Sequence, residues 1–262
     1  MNEPQQLIDQ SQWDSGWAKN VHFQQWTPID ANPGRAQRLW LDYLLETVPS
    51  GARVLEIGCG GSQILPFLAR CKQAEVWGID YSPTGLELAQ KGMEAEGVQG
   101  RFILGDALAE NDAPRGYFDV VLTMGVIEHF PPPGNIDTTV RFSEYARSGG
   151  LIITFIPNMA GIIGLLTRWL DRPLYNQHVP LDAQELDALH KAASLQIVRA
   201  AEYVGGFEFG VINHTRLVER YGAQRTALIW KLGYKAQGLY LRLFPKRESL
   251  WFSPYVIGTY RK

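Results

Sequence analysis

The chain is 262 residues long, 45 % hydrophobic and 20 % charged, with a formal net charge of −2 and a pI near 6.2. That composition excludes a disordered chain, and the near-neutral charge argues against a dedicated nucleic-acid binder, which carries a basic excess. Two cysteines, Cys59 and Cys71, are too few for a disulfide framework and read as reduced thiols of a cytoplasmic protein.

In chain order, Met1 to Gln12 is polar, so no signal peptide is expected there. Residues 1–50 carry Trp13, Trp17 and Trp26 and a helical pattern over 36–47, and read as an N-terminal helical lid segment. A ligand-binding core is expected over 51–204, with an insertion at 158–180. Its strands are apolar, β-branched runs closing on Gly or Asp: 53–58, 75–80, 101–106, 118–124, 150–156 and 195–204. Helical patterns fill 62–71, 83–96, 136–147 and 182–193. Ser82-Pro83 reads as an N-cap followed by proline at the first helical position, and Asp182 with Glu185 has capping-box spacing. The apolar run 159–170 is about half a bilayer span and is broken by Arg168. Residues 205–252 read as a helical insertion covering an acceptor site, and 253–262 as the final core strand. Strands alternating with helices imply a parallel sheet with helices on both faces. Segments added at strand ends belong at the ligand crevice of such a sheet.

The strongest local signal is Val54-Leu55-Glu56-Ile57-Gly58-Cys59-Gly60-Gly61-Ser62. An apolar strand ends in an acid, a glycine turn and a helix start. Glycine lets the backbone take positive φ and lets a ligand approach closely. The dinucleotide fingerprint needs a small third residue where this chain has Gln63, and a phosphate-binding loop needs a lysine that is absent. An acid two residues before the first glycine suits a ligand with a free ammonium group, as S-adenosylmethionine has. Asp80 closes the second strand, where a carboxylate can accept two hydrogen bonds from a ribose diol. Tyr81 is a candidate to pack against adenine.

These residues resemble the class I S-adenosylmethionine-dependent methyltransferases, with a first motif of the form E/D-x-G-x-G-x-G that departs here at Ser62. The resemblance implies a doubly wound, seven-stranded, mostly parallel α/β sheet with the last strand antiparallel and helical insertions forming a lid. It implies S-adenosylmethionine as cofactor, held by Glu56, Gly58, Gly60, Asp80 and Tyr81, with Asp106 accepting from the adenine amino group and the backbone of Ala107 meeting the ring. Phe118 to Phe130 resembles the family's fourth motif, so the strand tip at Met124 would face the transferring methyl. His129 is the candidate general base; Glu128-His129 capping a helix start is the structural alternative. A ubiquinone-type O-methyltransferase subgroup carries Glu-x-x-Glu-His here with magnesium. This chain has Gly125 at the first Glu, so no required metal is expected. His178 and His214, in the insertions, are alternative bases or surface residues; His22 and His190 read as structural.

The resulting expectation is methyl transfer to a small-molecule acceptor, most simply O-methylation of a hydroxyl or carboxylate in a biosynthetic intermediate (a natural product, sugar or lipid-linked compound). The alternatives are N-methylation of a small heterocycle or a catalytically silent, cofactor-binding regulator. No nucleic-acid partner is expected. Residues 220–247 hold seven Lys and Arg and no Asp or Glu, with Leu228, Leu232, Ala236, Leu239 and Leu243 at helical spacing. That stretch is either a lid packed on the domain or a weak membrane-surface contact. Gly233 and Gly238 predict two shorter helices or a kink.

Overall fold

A computed structural model describes residues 6–8, 10–18, 26–244 and 248–262. Parts of the 1–50 segment, including His22, and Lys246 and Arg247 of the basic stretch, lie outside the described residues. Two helices precede the sheet, α1 (Gln10–Ala18) and α2 (Arg35–Thr47). Then come β1 (Arg53–Ile57), α3 (Ile64–Lys72), β2 (Glu75–Asp80), α4 (Pro83–Ala95), β3 (Gly100–Leu104) and β4 (Phe118–Met124). A 3₁₀ turn, Ile127–His129, leads to α5 (Gly134–Ser143) and β5 (Ala146–Pro157). The remainder is α6 (Ile162–Leu170), α7 (Arg172–Tyr175), α8 (Ala183–Ala192), β6 (Gln196–Val204), α9 (His214–Tyr221), α10 (Ala223–Leu243) and β7 (Tyr255–Arg261).

The seven strands form one sheet in the order β3-β2-β1-β4-β5-β7-β6. β1 to β5 pair in parallel, and β7 runs antiparallel to both of its neighbours. The expected architecture is therefore the observed one. Period-two alternation along the strands explains the two-sided core. Leu55 and Ile57 of β1 pack with Trp77, Ile79 and Val121 on one face; Val54 packs with Val76, Val120 and Leu122 on the other. The strand order reverses between β1 and β4, which is where open α/β sheets form their crevice.

Local sequence sets the helix starts. Ser82 Oγ accepts from Gly85 N at 3.0 Å, with Pro83 opening α4. Asp182 and Glu185 close their capping box at 2.8 and 2.9 Å. Such caps each contribute about 1 kcal/mol. Three expectations are corrected. α5 stops at Ser143, short of the predicted end. β5 starts at Ala146 rather than 150, because its pairing with β4 shifts between Phe118 and Val120 and the glycine pair falls inside that irregularity. α10 is one continuous helix, so the two shorter helices expected from Gly233 and Gly238 do not form. Gly233 is there for close approach, since a Cβ would overlap the Phe209 ring. The face of α10 that turns inward carries Thr226, Gly233 and Tyr240, so Leu228, Leu232, Leu239 and Leu243 all point to solvent. No helix among the described residues is long and apolar enough to cross a membrane.

Candidate active site

The C-terminal tips of β1, β2 and β4 open into a cleft of about 440 Å³. Its walls include Glu56, Gly58, Cys59, Gly61 and Ser62 from the first turn, Asp80 and Tyr81 from β2, and Met124, Gly125, Val126 and His129 from β4. Gln6, Trp13, Trp17, Ile29 and Trp40 close it from the N-terminal side. The sequence thus identified most of the wall. It missed Trp40 and Ile29, whose apolar character gives no ligand signal.

The turn after β1 needs glycine. Gly58 has φ 67°, and a Cβ there would fall 2.6 Å from Val126 Cγ2. Gly60 donates its N–H to Asp80 Oδ2 at 2.7 Å, while Asp80 Oδ1 accepts from Ser82 N at 2.7 Å. Those two bonds leave a carboxylate further lone pairs. Burial raises the Asp80 carboxyl above the ordinary carboxylate range.

Glu56 is 4 % exposed. Its carboxylate Oε2 accepts from Ser62 Oγ at 2.5 Å, and burial pushes its pKa up to about 8. Ser62 Oγ also accepts from Ile64 N and Leu65 N at 3.1 Å, tying the acid to the start of α3. The result is a desolvated carboxyl on the cleft wall with no cationic partner among the described residues.

An N-terminal strap crosses the cleft. Leu7 N donates to His129 O at 2.9 Å, and Gln6 Nε2 to Tyr81 OH at 3.4 Å. Asp14 Oδ1 accepts from Ser82 Oγ at 2.7 Å, and these bonds lower its pKa. Trp13 meets the His129 ring edge-on at 5.2 Å. Trp17 lies against Gly60 and Gly85.

At the β4 tip, Glu128 and His129 are 1 % and 2 % exposed. Among the described residues, neither Glu128 oxygen has a hydrogen-bond partner, and burial raises its pKa to about 8. His129 Nδ1 lies 2.6 Å from Gln177 O. Burial, and then the neighbouring His178, hold its pKa down at about 4. His178, which the sequence could only place in an insertion, packs on His129 at 4.7 Å between ring centroids, and burial lowers its pKa too. His214 instead packs on Trp230, away from the cleft. His190 stacks on Tyr260 at 3.6 Å and bonds Thr154, in keeping with a structural role.

Gly60, which the Trp17 ring covers, and Asp106 and Ala107 are not among the cleft walls. The Asp106 carboxylate accepts from Leu108 N at 2.8 Å, closing the turn after β3. The turn nevertheless lies beside β2, because Gly105 N donates to Asp80 O at 2.9 Å.

Residues 54–150 match the family described as a methyltransferase domain. A ubiquinone biosynthesis O-methyltransferase of Xylella fastidiosa is 41 % identical over 128 residues, 47 % of each chain. One from Alkalilimnicola ehrlichii is 37 % identical over 147 residues, covering 54 % of this chain and 52 % of its own length. The chain thus spans about half the length of these curated relatives. A phosphoethanolamine N-methyltransferase of Haemonchus contortus, solved with S-adenosylmethionine, aligns over 95 % of this chain and 57 % of its own, with TM-score 0.62 and 16 % identity. The [4+2]-cyclase SpnF aligns over 100 % and 97 %, with TM-score 0.63 and 18 % identity. These two similarities concern the fold alone.

Proposed function

We propose that this chain is a class I S-adenosylmethionine-dependent methyltransferase that moves a methyl group to the hydroxyl of a small biosynthetic intermediate, a reading supported by the methyltransferase-domain match and the methyltransferase relatives. The observation that carries this reading is Glu56: a buried carboxyl without a cationic partner among the described residues, on the same cleft wall as Asp80 and the β4 tip. The fold by itself does not decide the chemistry, as its likeness to a cyclase illustrates.

The residues fit S-adenosylmethionine. Adjacent strand tips run β3, β2, β1, β4, three spacings of about 4.8 Å, or roughly 14 Å in all, which suits an extended nucleoside joined to an amino acid. Glu56 would receive the ammonium, and Asp80 the ribose hydroxyls through its remaining lone pairs. Tyr81 would cover the ring, with Asp106 and Ala107 at the adenine end. Gly58 and Gly60 would border the ligand, Gly58 leaving room for Val126 and Gly60 for the Trp17 ring. When bound, the cofactor supplies a sulfonium-activated methyl, so the chain's own task is orientation and exclusion of water, which can lower the barrier by about 7–11 kcal/mol. The strap through Gln6, Leu7 and α1, with Trp13 and Trp17, would act as the water-excluding lid.

His129 borders this cleft beside Met124 and Gly125. Its Nδ1 lies 2.6 Å from the Gln177 carbonyl and the Gly125 carbonyl also approaches the ring, so the imidazole is held in a fixed orientation beside the β4 tip. The relatives named as O-methyltransferases support a hydroxyl acceptor. Outward leucines and cations on α10 support a second partner, an anionic lipid surface. Calorimetry with S-adenosylmethionine, followed by S-adenosylhomocysteine release from a panel of hydroxyl, carboxylate and amine acceptors, tests the main reading. Tight binding with no release from any acceptor would favour a silent regulator, and absence of binding would refute the reading altogether.

A further inference from the structure

We propose that a second cavity, beside the candidate active site, receives a compact apolar part of the acceptor and rejects long or charged chains. Its assignment to the acceptor rests on the methyl-transfer reading. The cavity measures about 200 Å³. Pro157 at the end of β5 and Tyr255 at the start of β7 form one wall, paired in antiparallel register. They stand at the sheet edge where β4 also ends. The insertion after β5, through α6 and α7, and residues 211–217 after β6 supply the other walls.

An aromatic row joins the two cavities. Trp40 closes the first, and its ring lies 5.5 Å from that of Phe155. Phe155 lies 4.7 Å from Tyr255, which lines the second. Met124, on the first cleft, stands opposite Phe155 in the sheet. Pro157 is therefore one strand across and two residues on from Met124, roughly 8 Å away by strand geometry. A planar acceptor with its hydroxyl near Met124 would lie along the row and place a substituent in the second cavity.

The walls set the character of that substituent. Met159, Ile163, Leu170, Ile212 and Leu217 are buried apolar side chains. Asp171 also lines the cavity, but its charge is already matched. Arg216 holds it through Nε and through Nη2 at 3.0 Å, and Arg220 Nη1 stands 4.0 Å away. A carboxylate or phosphate entering here would lose its hydration without gaining a free cation. The Tyr255 hydroxyl has no hydrogen-bond partner among the described residues, and burial raises its pKa to about 12. It stays a protonated donor that a neutral oxygen can use. A mostly apolar pocket with few polar groups is the usual form of a small-molecule site.

The floor sets the length. A dry apolar cavity of about 150 Å³ holds benzene, so in proportion this one holds roughly eight carbons. Leu170 and Leu217 close it, and both belong to an apolar cluster with Phe207, Phe209 and Tyr240. A longer chain would have to unpack that cluster.

The test titrates the cofactor-free full-length chain with 4-alkylphenols, from ethyl to decyl, by calorimetry. Affinity should rise about threefold per methylene up to octyl and stop rising there. A carboxylate at the far end of the octyl chain should weaken binding at least tenfold. Leu174→Trp, at the half-buried rim, should move the cut-off to shorter chains. Ile163→Ala should move it to longer ones. The two variants read opposite shifts, so either one suffices if the other fails to fold. No binding, a gain that continues unchanged to decyl, or a cut-off unmoved in the folded variants overturns the proposal. S-adenosylhomocysteine release is measured separately on the same phenols. Length-limited binding without release supports the cavity as a ligand subsite and counts against the hydroxyl-transfer reading alone.

Discussion

Glu56 shows how one buried side chain ties stability to ligand. Its carboxyl, near pKa 8 in the fold against 4.5 when free, holds a proton that the unfolded chain has already lost. The unfolded state therefore gains stability over the folded one as pH rises from about 4.5 to 8, and the folded chain loses that contribution by pH 8. An arriving ammonium reverses the effect by stabilising the carboxylate. Glu56→Gln should raise the melting temperature of ligand-free protein at pH 8 and weaken S-adenosylmethionine at least tenfold, as calorimetry and thermal melts can measure. Equal cofactor affinity in the two proteins would remove Glu56 from the ammonium site. At the β4 tip the sign is opposite in kind: His129, held down at about 4, is neutral and proton-accepting throughout the neutral range. His129→Ala should slow hydroxyl methylation by about 10²–10⁴, with cofactor affinity barely changed. The pH–rate profile of the unaltered enzyme should show no histidine limb between pH 8 and 5. A limb near 6.5 would mean the base is a different, solvated group.

At the scale of elements, the strands and the first turn were legible because their signals are local: alternating apolar residues, a Gly or Asp at the strand end, Ser82-Pro83 at a helix start. What was not legible depended on neighbours distant in sequence. The pairing of His178 with His129 across 49 positions needs the bond from Val179 to Glu128, which no local pattern announces. α10 is the sharpest case. Two glycines inside a helix predict a break, yet the helix runs unbroken through both. Gly233 makes room for Phe209, whereas a Cβ at Gly238 would meet nothing within 4 Å. The two positions should therefore answer alanine with opposite signs. Gly238→Ala should stabilise by about 0.5–1 kcal/mol through helix propensity. Gly233→Ala should destabilise by about 1–3 kcal/mol through overpacking against the ring. Denaturant melts of the two variants check this, and a stabilising Gly233→Ala would show that Phe209 relaxes without cost.

For the whole molecule, net charge conceals an uneven distribution. The chain is formally −2, but α10 carries Arg225, Lys231, Lys235 and Arg242 and no acid. At 3.6 residues per turn, Leu228, Leu232, Leu239 and Leu243 fall within about 60° of arc, and each is more than half exposed. The same cations lie on or beside that arc, all exposed. The sequence showed the stripe but not its direction, because an apolar stripe reads equally as a buried face; only the inward turn of Thr226, Gly233 and Tyr240 resolves it. A leucine row flanked by cations is the pattern of a helix lying on an anionic lipid surface. Each cation near such a surface contributes about 1 kcal/mol, an attraction screened within a Debye length of about 8 Å at physiological salt. The chain should thus float with anionic vesicles at low salt, stay behind with neutral ones, and release as salt is raised. Leu232→Glu together with Leu239→Glu, both on the solvent side, should abolish flotation and leave S-adenosylmethionine affinity intact. Equal flotation with neutral and anionic vesicles would refute an electrostatic contact, and flotation surviving the double substitution would move the contact off α10.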